Sequence, residues 1–254
     1  FSNQVRINFA KKIFYALTDL ILTHNNFSKN EITKIVPKNL NIHIVPHGNY
    51  LPFIEIEKDK SKSKKKLNLP ENKKIILFFG LIKEVKGLEV LLKSLKMVIE
   101  QHKDIRLLIA GKIWKNDFSK YQKIIDEKKL NDYCILHTKF IPHSLVKHYY
   151  AASELVVLPY KRIYQSGVLM MTLSYEKPVL VSDLPPLTEV INDKVNGYVF
   201  KSEDSENLAH KLNEIFSEHE KLSNISNQGF KEVKEKFDWN SVGYLTAKAY
   251  GSIY

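Results

Sequence analysis

From residue 73 onward, short apolar runs alternate regularly with longer amphipathic segments, and this alternation limits the fold more than any other feature of the sequence. The apolar runs are continuous, which is typical of strands that are buried on both faces. Such strands, separated by helices, form a parallel sheet with helices on both sides. The sequence therefore predicts an α/β fold built on a Rossmann-like doubly wound parallel sheet. The predicted strands are 74–79, 105–110, 133–137, 155–158, 178–181 and 197–200, and the predicted helices are 88–99, 118–127, 144–152, 166–175, 187–192 and those from about 204 to the end.

The segment before residue 56 shows the same pattern on a smaller scale. Its apolar spacing predicts a helix over 4–18 and short strands over 19–23 and 41–45. Ser28 is expected to cap another helix, with Glu31 three residues later as in a capping box. This segment is interpreted as a partial second α/β domain.

Lysine is concentrated in one run, Lys58 to Lys66, which lacks apolar periodicity and predicts a solvated linker over 56–72. The formal net charge of +11 fits nucleic acid, an anionic membrane surface or an anionic substrate as partner. We favour an ordinary surface run. Attraction to anionic lipid is the first alternative. Nucleic acid is the second, because no aromatic residue interleaves the run to stack on bases.

Cys134 is the single cysteine, so no intramolecular disulfide can form, and its apolar setting predicts a buried strand residue. This usage fits a reducing compartment. No apolar run reaches the ~18 residues of a membrane-spanning helix, and no signal peptide is recognisable. Because the chain begins with Phe1, we expect it to be a fragment.

A doubly wound sheet binds its ligand beyond the carboxyl ends of its strands. The first candidate turn there is Gly80 to Gly87. Gly80 allows the backbone to leave the strand tightly. Lys83 and Lys86 are point charges suited to phosphate oxygens, although two exposed lysines beside a turn would look the same. The turn has neither a P-loop nor a dinucleotide-binding glycine pattern.

The other candidate turns are Gly111 to Asp117 and the stretch that contains Gln165, Ser166 and Gly167. A helix that begins near Ser166 would direct free backbone N–H groups and a partial positive charge at a bound anion. Gly167 would let a bulky anion approach. The alternative is simple capping by Ser166. Val168 is included among the binding residues, although its apolar side chain also fits the core.

Two further residues are weaker candidates. Glu189 is predicted in the first turn of a short helix, where a carboxylate is favourable by itself. His47, in Pro46-His47-Gly48, could act as an acid or base or could shape the end of a strand.

Taken in order, these pieces resemble the group 1 (family 4) glycosyltransferases over nearly the whole chain. The matching pieces are Val45-Pro46-His47-Gly48, Phe79-Gly80 with Lys86-Gly87, Leu91-Leu92, Leu108-Ile109-Ala110-Gly111, Tyr149 to Ser153, Leu158-Pro159-Tyr160, Lys177-Pro178-Val179, Glu189-Val190-Ile191 and Asn196-Gly197. Each piece is weak alone, and the ordered set is specific.

The resemblance implies the GT-B fold, in which two Rossmann-like domains face each other across a cleft. It implies that 1–55 is the tail of the N-terminal acceptor domain and that 56–72 is the linker. It further implies that 73–236 is the C-terminal nucleotide-sugar domain and that 237–254 is a helix that crosses back to the N-terminal domain.

The resemblance also assigns roles to residues. Lys86 corresponds to the lysine that binds the donor diphosphate. The family often has an arginine where this chain has Leu81, so Lys83 is the nearest substitute. Ile163 and Met171 occupy the places of the family's two characteristic glutamates, and Met171 cannot accept hydrogen bonds from ribose hydroxyls. The Gln-Ser-Gly turn is similar to that of one subset of the family.

The implied activity is a retaining glycosyltransferase of the hexosyltransferase type. It would move a sugar from a UDP- or GDP-linked donor to the hydroxyl of a saccharide or lipid-linked acceptor, in the synthesis of cell-surface polysaccharide or glycolipid. Lys86 and Gln165 are the expected catalytic residues, with no cofactor and no metal. The expected location is cytoplasmic, with peripheral contact at the inner face of the plasma membrane as one alternative. The rival interpretations are a non-catalytic sugar-nucleotide-binding partner and, last, a nucleic-acid-binding module.

Overall fold

The computed structural model describes residues 14–15, 17–36 and 40–253 and divides the chain into two compact units, 1–48 with 236–254 and 49–235. In the smaller unit, strands β1 (Leu20–Thr23) and β2 (Asn41–Ile44) form a parallel pair. The same unit contains helices α1 (Asn26–Thr33) and α10 (Trp239–Tyr250). The helix predicted over 4–18 lies largely outside the described residues.

The larger unit is an α/β domain with a six-stranded, wholly parallel sheet. Its strands are β3 (Lys74–Phe79), β4 (Ile105–Ala110), β5 (Cys134–His137), β6 (Leu155–Leu158), β7 (Val179–Ser182) and β8 (Tyr198–Phe200). Its helices are α2 (Lys60–Lys66), α3 (Leu88–Gln101), α4 (Ser119–Glu127), α5 (His143–Ala152), α6 (Gly167–Ser174), α7 (Pro185–Thr188), α8 (Ser205–Ser217) and α9 (Leu222–Lys236). The predicted fold class is confirmed.

The strand order is β5-β4-β3-β6-β7-β8. From β3, the chain adds β4 and β5 on one side of the sheet. It then crosses back and adds β6, β7 and β8 on the other side of β3. This reversal creates a switch point between the carboxyl ends of β3 and β6, where an open α/β sheet has its ligand crevice. The central strands carry the core: Ile76, Leu107, Leu155 and Leu180 are fully buried, and burial of this kind is the main stabilising term for the sheet.

The prediction of a solvated linker over 56–72 is wrong for its middle part. Lys60 to Lys66 form α2, whose N-cap is Asp59: its carboxylate accepts a hydrogen bond from Lys62 N at 2.8 Å. Ser63 is buried and its hydroxyl bonds His148 Nδ1 on α5 at 3.0 Å. The capping residue and this tertiary contact stabilise a helix that apolar periodicity does not reveal.

Two other local predictions are also corrected. Asn25, rather than Ser28, caps α1, because its side-chain oxygen accepts the Ser28 N–H at 2.8 Å. The short helix expected over 187–192 is α7 instead, which begins at the two prolines and ends at Thr188, since proline suits the first turn of a helix. Cys134 is partly buried, and burial raises the pKa of its thiol to about 12.

Candidate functional site

The three turns that the sequence singled out meet at the switch point. Gly80 has a φ of 105°, and a Cβ built on it would lie 3.3 Å from Val168 Cγ2 in the first turn of α6. Gly111 has a φ of 142°, and its Cβ would lie 2.0 Å from the Gly80 carbonyl oxygen. A side chain on Gly111 would force these backbones apart. The glycines therefore allow the ends of β3 and β4 and the start of α6 to converge on one small region.

A second close approach joins the β3 turn to the end of β6. Gly87 has a φ of 67°, and a Cβ there would lie 1.8 Å from the Pro159 carbonyl oxygen. Lys161 N donates to the Val85 carbonyl at 3.0 Å. Both contacts hold the Gly80 to Gly87 turn against the chain that leaves β6, so the position of Lys86 is fixed from two sides.

Ion pairs also stabilise the Gly80 to Gly87 turn. Lys161 Nζ lies 2.7 Å from Glu89 Oε1 and 3.6 Å from Glu84 Oε1. Lys120 Nζ lies 3.2 Å from the same Glu84 oxygen. These two glutamates are therefore occupied by Lys120 and Lys161 and leave the lysines of the turn without a carboxylate.

Lys86 is the central cation of the site. Its Nζ lies 3.7 Å from the centroid of the Tyr160 ring, and no carboxylate among the described residues lies within ion-pairing distance of it. Burial lowers the pKa of Lys86 to about 8, and the nearby charge of Lys83 acts in the same direction. A partly buried ammonium that has only a ring as partner among the described residues can readily bind an anion.

Lys83 lies farther out in the same turn. Its Nζ is 4.9 Å from the ring of Trp114, an exposed residue that follows β4. The two lysines are both partly buried and have the same type of partner, but the Tyr160 ring is buried and the Trp114 ring is exposed to solvent.

The start of α6 supplies backbone donors. Ser166 is the N-cap, and its hydroxyl accepts the Leu169 N–H at 3.1 Å. The N–H groups of Gly167 and Val168 donate to no other residue in the described part of the chain. They carry the partial positive charge of a helix N-terminus, and this end of α6 lies beside Gly80.

Two more polar groups of this region are unsatisfied. Gln165 Nε2 is buried and has no hydrogen-bond partner in the described structure, and the Tyr160 hydroxyl lacks a well-formed one. Burial raises the pKa of Tyr160, against a smaller effect of the neighbouring Ser166 hydroxyl. Buried donors are normally satisfied, so the unfilled Gln165 amide at this ligand edge marks where an acceptor is expected.

The structure brings together most of the predicted site residues, namely Gly80, Lys83, Lys86, Gly111, Gln165, Ser166, Gly167 and Val168. Glu189 differs from its prediction: it is the exposed C-cap of α7 and not a first-turn residue. Its role toward a donor stays a prediction. His47 lies in the smaller unit, its ring centroid 5.9 Å from that of His24.

The places of the two characteristic glutamates contain no acidic side chain. Ile163 and Met171 are both partly buried, and α6 has no acidic residue in its first turn. Sequence reasoning missed two contacts, those of Tyr160 and Trp114 with the lysines. The available signal was the position of each aromatic residue shortly after a strand that ends at the ligand edge.

Comparison with known proteins gives one family. The family model described as glycosyl transferases group 1 matches residues 59–232. An uncharacterized glycosyltransferase of Methanocaldococcus jannaschii is 25% identical over 197 residues, which cover 76% of this chain and 48% of that protein. The capsular polysaccharide biosynthesis glycosyltransferase CapM of Staphylococcus aureus is 22% identical over 236 residues, which cover 89% of this chain and 60% of CapM. The chain thus spans about half the length of the curated relatives it matches.

Solved structures give the same fold. Anabaena HepE, solved in complex with UDP and glucose, superposes with a TM-score of 0.79 at 16% identity, over 92% of this chain and 64% of HepE. At this identity the match shows the fold alone, which is the GT-B architecture. With the family model covering more than half of its residues, the chain belongs to the group 1 glycosyltransferases.

Proposed function

We propose that this chain binds the nucleoside diphosphate of a sugar donor and that the protein transfers the sugar to a hydroxyl group with retention of anomeric configuration. One observation carries the proposal: several hydrogen-bond donors at the switch point have no acceptor in the described structure. These are Lys86 Nζ, Gln165 Nε2 and the backbone N–H groups of Gly167 and Val168. A phosphate group offers the missing acceptor oxygens and the negative charge.

The same donors suit the chemistry of transfer. The bond between the sugar and the diphosphate breaks with negative charge developing on the leaving phosphate oxygens. Donors already fixed in position stabilise that charge without reorganising. Lys86 and the two N–H groups would hold the diphosphate. Gln165 would contact the phosphate or the sugar, and Lys83 would add charge at the open side.

Family membership supports the wider proposal. CapM is a capsular polysaccharide biosynthesis glycosyltransferase, and HepE was solved with UDP and glucose. We accordingly propose a UDP- or GDP-linked hexose as donor and a saccharide or lipid-linked acceptor in polysaccharide or glycolipid synthesis. We propose that no metal or cofactor takes part and that the reaction is cytoplasmic, at the inner face of the plasma membrane. Among the described residues, no helix is long and apolar enough to cross a bilayer.

A second candidate is a sugar-nucleotide-binding protein without transferase activity. The residues at the two glutamate positions favour it, because the Ile163 side chain has no acceptor and the Met171 thioether is only a weak one for a sugar or ribose hydroxyl. Both candidates predict nucleotide binding. They differ in whether the bound sugar is transferred, or slowly hydrolysed when no acceptor is present.

The test is calorimetric titration with UDP, GDP and ADP, followed by incubation with the corresponding diphosphate hexose. We expect one nucleotide to bind preferentially, Lys86→Met to weaken it, and sugar to be released from its hexose form. The matched control is Lys93→Met, since Lys93 is an exposed lysine on α3. Binding without any release would favour the second candidate, and absence of binding by all three nucleotides would refute both.

A further inference from the structure

Tyr160 is a buried aromatic residue that the proposed chemistry does not use. It follows β6 and Pro159, and only 1% of its surface is exposed. Its ring lies under the Lys86 ammonium, 3.7 Å from Nζ to the ring centroid. This is within the range in which the negative face of an aromatic ring attracts a cation, and the attraction is strongest where water is excluded.

The backbone that carries the ring is anchored by hydrogen bonds and by close packing. The Tyr160 carbonyl accepts two hydrogen bonds, from Ser182 Oγ at 2.7 Å and from Ser202 Oγ at 3.1 Å. The preceding Pro159 carbonyl lies against Gly87, where no Cβ could be accommodated. Gly87, which follows Lys86, and Pro159, which precedes Tyr160, are therefore in backbone contact. The two turns that carry Lys86 and Tyr160 are therefore fixed relative to each other.

No other described group attracts the Lys86 ammonium at short range. Lys83, from the same turn, repels it. Glu84, in the same turn, and Glu89, on α3, are paired with Lys120 and Lys161. The Tyr160 ring, from the β6 side, is thus the one favourable electrostatic contact of Lys86 among the residues described.

We propose that the aromatic ring of Tyr160 is a positioning residue for Lys86: it holds the ammonium at the edge of the phosphate-binding turn before the ligand arrives. The inference rests on the proposed function for its consequence, which is tighter nucleotide binding. The ring is assigned the role and the hydroxyl is not, because the ring face contacts the Lys86 ammonium, whereas the hydroxyl lies beside the Ser166 side chain.

The test compares Tyr160→Phe with Tyr160→Leu in the full chain. Phenylalanine keeps the ring face, whereas leucine keeps an apolar side chain without it. The affinity for the preferred nucleotide is measured by calorimetry from pH 7 to pH 9.5. We expect Tyr160→Phe to match the original protein. We expect Tyr160→Leu to bind about tenfold more weakly at pH 7. As the pH is raised, its affinity should begin to fall at a lower pH than in the original protein, because an ammonium without the ring gives up its proton more easily.

If Tyr160 had a purely structural role, Tyr160→Leu would weaken binding, but the pH at which nucleotide affinity falls (the pH midpoint) would not move. The proposal is overturned if Tyr160→Leu keeps the original affinity and midpoint, or if Tyr160→Phe loses as much as Tyr160→Leu. Thermal unfolding verifies that both variants fold.

A second readout does not need the nucleotide. NMR titration of ¹³C-methylated lysines, with the Lys86 signal assigned from Lys86→Arg, gives the pKa of Lys86 directly. We expect that pKa to fall in Tyr160→Leu and to stay unchanged in Tyr160→Phe. Failure of the unaltered protein to bind any nucleotide would refute the proposed function alone, and an unmoved pKa in Tyr160→Leu would refute the role of the ring alone.

Discussion

Two partly buried lysines at opposite ends of the strands of the same sheet differ in what surrounds them. We call the end formed by the carboxyl ends of the strands the carboxyl edge, and the end formed by their amino ends the amino edge. Burial lowers the pKa of both Lys86, at the carboxyl edge, and Lys177, at the amino edge, to about 8. Lys177 Nζ donates to the Ser153 carbonyl at 3.3 Å and lies near the carboxylate of Glu154. Within the part of the chain that the structure describes, Lys86 has only the Tyr160 ring as partner. Burial and a lowered pKa therefore do not separate a functional lysine from a structural one, whereas unfilled donors do.

The other polar groups at the amino edge also have hydrogen-bond or ion-pair partners, as Lys177 does. Lys64 Nζ donates to the carbonyls of Glu71 at 2.9 Å and Lys73 at 2.6 Å. Glu154 accepts the Ile75 N–H and also pairs with Lys60. Polar groups at this edge fasten α2 and the strand ends to one another. At the carboxyl edge, the Gln165 amide and the Lys86 ammonium have no acceptor among the described residues.

The largest effect is expected from breaking the amino edge. Glu154→Ala removes a carboxylate whose side chain is only 5% exposed and leaves the Ile75 N–H without its acceptor. We expect a loss of about 3 kcal/mol in the free energy of unfolding, measured by urea denaturation. Nucleotide affinity below the unfolding range should not change. A variant that stays stable but loses nucleotide binding would contradict the division between the two edges.

The next effect is on binding and compares the two lysines directly. Lys86→Met removes a charge-assisted donor, so we expect nucleotide affinity to fall by about 2 kcal/mol, roughly 30-fold. Lys177→Met, which makes the same chemical change at the other edge, should leave affinity unaltered. Calorimetry on both variants decides the point. Equal losses would mean that burial alone, rather than unfilled donors, marks the site.

The pH dependence of binding follows from the pKa of Lys86, about 8. A bound diphosphate favours the charged ammonium, so binding takes up a proton wherever the free lysine has lost one. Affinity should be level below pH 8 and should fall above it, by up to about tenfold per pH unit. The fall should persist in Lys177→Met and disappear in Lys86→Met. A profile that is flat to pH 9.5 in the unaltered protein would count against Lys86 as the phosphate ligand.

The smallest effect is expected at Lys83. Its partner Trp114 is exposed, so solvent weakens any attraction between Lys83 and a bound anion. We expect Lys83→Met to cost about 0.5 kcal/mol of nucleotide affinity at low salt and less at high salt. Calorimetry at two ionic strengths measures both values. A loss as large as that of Lys86→Met would place Lys83 in direct contact with the phosphate.

Much of the larger unit was predictable because its strands are buried on both faces and its glycines end those strands. The positions of β3, β4, β6 and α6 needed only this local pattern. The capping residue Ser166 was also predictable, since serine before an apolar run is a local signal.

What was missed depends on contacts between distant residues. The helix α2 is stabilised partly by its packing on α5, and the lysine run by itself gives no sign of that. The contact between Lys86 and Tyr160 joins two turns that only the strand order brings together. Charge and spacing identified Lys86 as a candidate, but which of its donors stay unfilled is a property of the folded chain.

The most direct test of the central claim compares each nucleoside diphosphate with the nucleoside that lacks the phosphates. Calorimetric titrations with UDP, uridine, GDP and guanosine are made on the unaltered chain and on Lys86→Met. If the unfilled donors bind a diphosphate, one diphosphate binds much more tightly than its nucleoside, and Lys86→Met removes most of that difference. If diphosphate and nucleoside bind equally, or if Lys86→Met leaves their difference intact, the carboxyl edge does not bind phosphate through Lys86 and the account is wrong.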